Sequence, residues 1–361
     1  MTLRHYNLYN EDSSSAFSFD SLHFINKRVT LHNFGMRSKS GKRTLRNDID
    51  IKVPYFQLTG LNWYQLIFDQ TMAARDAVLN NPVINFTRRK SGVTTSSQKF
   101  DLFDALLSVD SLVELENVSV INGQMNMKLG PATSFNVQNL DFRIYSNQLL
   151  RSTTKEGLRS AVDHLSFTKG VLRLKDITAQ LQNARFTNNN MVYADKVIVS
   201  GQGNKIAGTV NKVYINNLQL DDNAEEIEVD GLGWESASVA LKALPEGSKG
   251  NNNSSTILLR NINGNNTRLS IATGPLEIAT MVQTLTAASV LKQANDLVRV
   301  EGFKLVGNDL LVNSKTVKIN ADSYNVTGTK ASSLMGVHVK QINGRDSVSI
   351  QASHVDFSTD L

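Results

Sequence analysis

The sequence predicts a mainly β protein: an elongated, curved antiparallel sheet forming an open groove, with three or four short amphipathic helices. Three observations carry that expectation. Apolar and polar residues swap at nearly every step through most of the chain, the period of a sheet wet on one face. One eleven-residue template recurs six times. Helical spacing is confined to a few short segments, most of which run directly into strand-like runs.

The alternating runs are KRVTLHNF (27–34), DIDIKVPYF (48–56), PVINFTRR (82–89), SFNVQNLDFRI (134–144) and GVLRLKDITAQL (170–181) in the first half. ADKVIVSG (194–201), TVNKVYINNLQL (209–220), STILLRNI (255–262), KTVKINADSYNVTG (315–328), MGVHVKQI (335–342) and SVSIQASHVDF (347–357) follow. Helical spacing of apolar residues predicts helices over 61–80, 99–109 and 276–296, with a weaker one at 153–162.

The template is an apolar residue, two polar or small residues, then apolar, any, apolar, a polar or glycine-containing turn, and a final apolar residue. Its copies are FDSLHFINKRV (19–29), LENVSVINGQM (115–125), VDHLSFTKGVL (162–172), LQNARFTNNNM (181–191), VDGLGWESASV (229–239) and VEGFKLVGNDL (300–310). Places 4 and 6 share a strand face, and place 1 has the wrong parity to join them. Place 3 is Ser21, Asn117, His164, Asn183, Gly231 or Gly302, mostly residues that tolerate a bulge or positive φ. A kink there turns places 1, 4 and 6 inward together and bends the strand, with Asn117 as the expected kink in its copy and Asn122-Gly123 as the turn that follows. The copies start at uneven intervals, which excludes a solenoid or propeller of fixed period.

Composition and motifs exclude more than they identify. The chain has 361 residues, no cysteine and a net charge of +5. Disulfides, thiolate metal sites and a cysteine nucleophile are therefore excluded. Six histidines are scattered without metal-ligand spacing, and no nucleophile elbow, Walker loop or dinucleotide fingerprint occurs. No cofactor, metal or catalytic residue is expected. Lys39, Lys42, Arg43, Arg46, Arg88 and Arg89 form the densest basic region. It suits anionic headgroups or a solvated hairpin tip, and lacks the aromatic interleaving of a nucleic-acid surface.

A long sheet with one apolar face must curl, find a partner or bind something apolar. The inward candidates are Leu115, Val118, Val120, Val197, Val199, Val300, Phe303, Leu305, Val317 and Ile319. Two readings stay open: a groove that holds acyl chains, and a structural or adhesive β-rich surface protein without a lipid ligand. The abrupt ends of the chain lead us to expect a segment of a longer protein.

VPYFQLTGLNWYQLIFDQTMAARDAVLNNPVINFTRRKSG (53–92) and KFDLFDALLSVDSLVELENVSVINGQMNMK (99–128) resemble successive units of AsmA-like proteins. In that family a strand leads to a helix, then to a strand opening on proline, then to a Leu-rich helix and a strand of the form L-x-L-x-N-V-x-V-x-x-G. The resemblance is good over 53–128 and looser elsewhere, and 247–256 is an Asn-rich loop outside it. It implies a repeating β-groove protein of the Gram-negative envelope, related to TamB and YhdP and more distantly to bridge-like lipid transfer proteins. Such a protein is periplasmic and held at the inner membrane by an anchor outside this segment. It handles phospholipid, contributes to outer-membrane maintenance, has possible envelope protein partners and supplies no catalytic residues.

Overall fold

The computed structural model describes residues 2–9, 15–38, 48–62, 64–65, 72–88, 113–146, 148, 161–174, 177–187, 191–201, 205–220, 226–242, 256–292, 298–328, 331–343 and 346–358. Every element among them is a strand, and the protein is mainly β. The chain divides into two compact units, residues 1–175 with 182–189 and residues 176–181 with 190–361.

The first unit begins with β1 (Thr2–Tyr9), β2 (Ser15–Ile25), β3 (Arg28–Ser38) and β4 (Asp48–Thr59), each antiparallel to the one before. β5 (Met72–Asn80) and β6 (Val83–Thr87) pair with β4 in one unbroken register and act as a single strand interrupted at Asn81-Pro82. β7 (Val113–Lys128) lies parallel to both, and β8 (Thr133–Tyr145) and β9 (Val162–Leu174) continue antiparallel. β10 (Ile177–Thr187) is shared between the units, so residues 170–181 hold the end of one strand and the start of the next.

The second unit repeats this plan. β11 (Val192–Gly201) pairs antiparallel with β12 (Ile206–Ile215), which is followed by β13 (Asn217–Leu220). β14 (Glu226–Asp230), β15 (Gly233–Trp234) and β16 (Ser236–Lys242) are pieces of one interrupted strand antiparallel to β12 and β13. β17 (Thr256–Thr273) runs parallel to all three pieces. β18 (Leu276–Lys292), β19 (Val298–Glu301) with β20 (Lys304–Asn313), β21 (Val317–Thr327), β22 (Ala331–Asn343) and β23 (Asp346–Ser358) follow antiparallel.

The interruptions are not scattered. Asn33, Asn81, Asn122 and Asn139 all have φ between 51° and 54° in mid-strand. The pairs His32–Tyr55 and Phe34–Val53 enclose Asn33 opposite Pro54. Asn80–Ile121 and Val83–Gln124 enclose Asn81-Pro82 opposite Asn122-Gly123. Leu140–Phe167 and Gln138–Lys169 enclose Asn139 opposite Thr168. The kinks therefore form one line crossing the strands at a common level. A left-handed residue breaks the ladder locally and leaves groups unpaired, and side chains along the line replace the lost bonds. Asn33 Nδ2 donates to Asp20 Oδ2 (2.7 Å), Asn122 Nδ2 to Asn81 Oδ1 (2.6 Å), the Asn122 backbone N–H to Asp141 Oδ1 (2.8 Å) and Asn139 Nδ2 to Thr168 Oγ1 (2.9 Å). In the second unit Lys212, Asn266, Asp309 and Gly336 carry the same backbone conformation. A second line there passes through Gly231, Asn261 and Gly302, with Asn261 Nδ2 donating to Asp230 Oδ1 (2.7 Å).

The kinks correct three expectations. Asn122-Gly123 is no hairpin turn; it lies inside a 16-residue strand. Place 3 of the template is left-handed at Asn183, Gly231 and Gly302, but Asn117 pairs regularly with Asp76 and Tyr145, and the break falls on Glu116. Among the described residues no helical element is formed: residues 72–80 are β5 and 276–292 are β18, while 63, 66–71, 99–109, 153–160 and 293–296 lie outside the described residues. The reason is arithmetic. Each kink inserts an extra residue, so inward positions run at spacings of two and three, as at Ala74, Ala77 and Leu79. Steps of three interleaved with two imitate helical spacing.

Both parallel joins require the chain to return by a strand length. Lys242 and Thr256 are 14 residues apart, which spans at most about 50 Å. The strand between Glu226 and Lys242 would measure about 53 Å if straight.

Two outcomes test the kinks. Asn122→Val, which β propensity favours, is expected to destabilise the protein by about 1–2 kcal/mol from left-handed strain alone, read as a lower urea midpoint. Asp76 is the second probe: burial pushes its carboxyl up, and hydrogen bonds from Arg75, Asn117 and Thr59 with the Arg75 charge outweigh that and hold it below its ordinary 3.8. Its stabilising effect is present above that value and fades as pH falls through the folded-state pKa. The stability gap between wild type and Asp76→Asn is therefore expected to be full at neutral pH and to close in acid.

Candidate functional site

Strand register brings inward residues into transverse rows, one residue per strand. In the first unit Leu22, Leu31 and Phe56 are cross-strand neighbours in sequence, and the row continues through Leu79, Val120 and Phe142 to Leu165. A second row joins Val29, Leu58, Ala77, Val118 and Ile144. Kinks matched between paired strands keep these rows on one face. Leu115, Val118 and Val120 are 4%, 8% and 1% exposed, so places 1, 4 and 6 of that template copy do share the buried face.

The second unit has the same rows in a more open state. One begins with Ile206 and Leu241, passes through Ile271, Ile278 and Val312, and ends with Ile319, Val339 and Ile350. All eight side chains are aliphatic; Leu241 and Ile350 are exposed and the other six are half-buried. Eight strands at about 4.8 Å give a rib about 34 Å long. Val197 joins a neighbouring row through Val210 and Ala237, and Val199 joins another through Gly208 and Val239. Val300 pairs with Val290, Leu305 with Leu285, and Phe303, Val317 and Ile319 are half-buried on the same face. Val300 is 46% exposed.

Two polar pairs are sunk in this face. The Thr280 hydroxyl is hydrogen-bonded to Tyr324 OH (2.9 Å) and to the Asn308 carbonyl (3.0 Å). Burial raises the Tyr324 phenol above its ordinary range, against the Thr280 hydrogen bond. Trp234 Nε1 donates to Thr267 Oγ1 (2.8 Å), and its ring covers Gly264, where any Cβ would collide with the indole. The opposite face carries the Asn and Asp lacing. Asn117 Nδ2 donates to Asp76 Oδ1 (2.9 Å) and Asn126 Nδ2 to Asn85 Oδ1 (3.0 Å).

Of the basic candidates, Arg88 is half-buried with its backbone N–H donating to the Lys128 carbonyl (2.8 Å). Lys39, Lys42, Arg43, Arg46 and Arg89 lie outside the described residues. Among the described residues no three His, Cys, Asp or Glu side chains form a group that could hold a metal ion. Sequence reasoning missed Ile206, Leu241, Ile271, Val312, Val339 and Ile350, each of which stands in an ordinary strand position; only register shows that they meet. No protein-family model matches the chain, and no curated protein matches it.

The described residues of these rows present an aliphatic surface. Its buried hydroxyls hold the floor together. Thr280→Val leaves the Tyr324 hydroxyl unpartnered and is expected to cost about 1–3 kcal/mol, against about 1 kcal/mol for Tyr324→Phe. The double variant is expected to lose less than the sum, measured by a double-mutant cycle in urea.

Proposed function

We propose that this protein is a non-enzymatic β-groove protein that binds or conducts acyl-chain lipid along the apolar face of its second unit. The half-exposed aliphatic rib from Ile206 to Ile350 carries this reading. Soluble proteins rarely leave a contiguous apolar strip of this length without an occupant, and an acyl chain matches it in shape and chemistry. The likeness of residues 53–128 to AsmA-like proteins supports the same reading and adds a setting: the periplasm of a Gram-negative cell, with phospholipid as cargo, outer-membrane maintenance as the role and a membrane anchor outside this segment.

The test is extraction of the purified chain with organic solvent and mass spectrometry of the extract. Near-stoichiometric phospholipid is expected from wild type. Ile319→Asp and Phe303→Asp, at half-buried positions, are expected to fold by circular dichroism and to lose that lipid. A lipid-free wild type, or variants that keep their lipid, would overturn the assignment and favour the structural or adhesive reading.

A further inference from the structure

We propose that the strand ends beside the aliphatic rib of the second unit dock on a bilayer surface that contains anionic lipid. One transverse row there is rich in lysine. It lies one residue nearer the strand ends than the rib, so it points to the opposite face of the sheet. The Lys242 backbone N–H donates to the Lys205 carbonyl (2.7 Å), which sets Lys205 beside Lys242, next to the rib pair Ile206–Leu241. Register carries the row on through Ala272, Glu277 and Asn313 to Lys318, Lys340 and Ser349, next to the rib pair Ile319–Val339. Lys205 and Lys340 stand six strand spacings apart, about 29 Å.

The row holds four lysines and one acid, and Glu277 already accepts a hydrogen bond from Asn313 Nδ2 (3.4 Å). Lys242, Lys318 and Lys340 are exposed, as is Lys315 in the turn between β20 and β21. Lys318 directly opposes Lys340, and their other neighbours in the row are Asn313 and Ser349. Like charges placed directly opposite are destabilising, and lysine stands beside lysine twice in this row. The other ends of the same strands are built differently. There the row reads Asp230, Arg260, Ser289 and Glu301, with Arg260 ion-paired to Glu228 and Ser289 bonded to Glu301. Acid meets base at one end, and lysine meets lysine at the other.

An anionic surface relieves that repulsion. Apolar side chains on the same strand ends favour a bilayer over a nucleic acid. Leu241 and Ile350 of the rib are exposed, and so is Val348 beyond it. Segments that lie in a membrane interface carry apolar residues on one side and lysine on the other, with the lysine stems reaching toward the phosphates. Here the two sides are the two faces of one sheet margin. Docking of this kind does not depend on what the rib carries.

The test is flotation of the purified chain with vesicles of phosphatidylcholine alone, and of phosphatidylcholine with about one third phosphatidylglycerol. Wild type is expected to float only with the anionic vesicles and to be released as ionic strength rises. Lys318→Gln and Lys340→Gln are each expected to weaken binding about fivefold. Each is also expected to raise the urea midpoint by removing the opposed charge, which separates lost binding from lost fold. Val348→Asp, at an exposed position, is expected to weaken binding with an unchanged circular dichroism spectrum. Arg299→Gln and Lys304→Gln, at the other ends of the strands, are expected to bind as wild type does. Equal flotation with neutral vesicles overturns the proposal, as do lysine variants that bind as tightly as wild type. So does a single-stranded oligonucleotide that displaces the vesicles and binds Val348→Asp and wild type equally, which would mark a nucleic-acid surface. Lipid extracted from the chain is a separate measurement, so failure of the docking leaves the reading of the rib standing.

Discussion

One constraint governs each unit: where one strand kinks, its paired neighbours must accommodate the kink at the matching level with the same number of residues. Side chains alternate with a period of two, so one extra residue sends all that follow to the other face. In β7 the inward set runs Leu115, Val118, Val120, Gly123, Met125 and Met127, changing parity twice and returning to the same face each time. A neighbour without the matching insertion would lose its register and bury its polar residues. The lines of kinks are thus a collective property, and the rows exist because of them.

Asparagine is the residue that makes those lines affordable to the ladder. Of the ten non-glycine residues at positive φ among the described residues, eight are Asn. Asn tolerates the left-handed region better than other residues with a Cβ, and its carboxamide both donates and accepts, which lets it bond to the next strand at the point where the backbone bonds fail. Glycine serves where space is also short. A Cβ on Gly302 would approach that of Ala288 to 2.9 Å, and one on Gly231 would overlap Asn216. The two kinds of kink residue answer the same backbone demand under different local crowding.

The strands were legible because alternation survives between kinks. The six template copies were legible too, and their true content is the passage of a strand from one kink line toward the next. What misled was the kink itself. Asn-Gly in isolation is a strong hairpin signal, and in β7 the same pair meets Asn81-Pro82 of the parallel neighbour, so the chain runs on. In β18 the run Val282, Leu285, Ala287 carries a step of three that a sequence cannot distinguish from a helical turn. The apolar face could be foreseen as residues with the right parity. The rows could not, because which residue of one strand stands beside which of the next is a statement about register, and pairs such as Ile278–Val312 are remote in sequence.

The rows differ from a pocket in a way that bears on any apolar ligand. A pocket has ends, and its depth selects a length. A row repeats at every strand, about 4.8 Å apart, with residues of one class. In the open rib of the second unit these are Ile, Val and Leu, and the β-branched ones hold few rotamers. A chain-like molecule laid across the strands meets nearly the same surface after each step, so the barrier to sliding is small compared with the free energy of leaving the surface. Affinity then scales with the length in contact, while position along the row is weakly defined. A surface of this kind is poorly suited to holding one molecule in one pose.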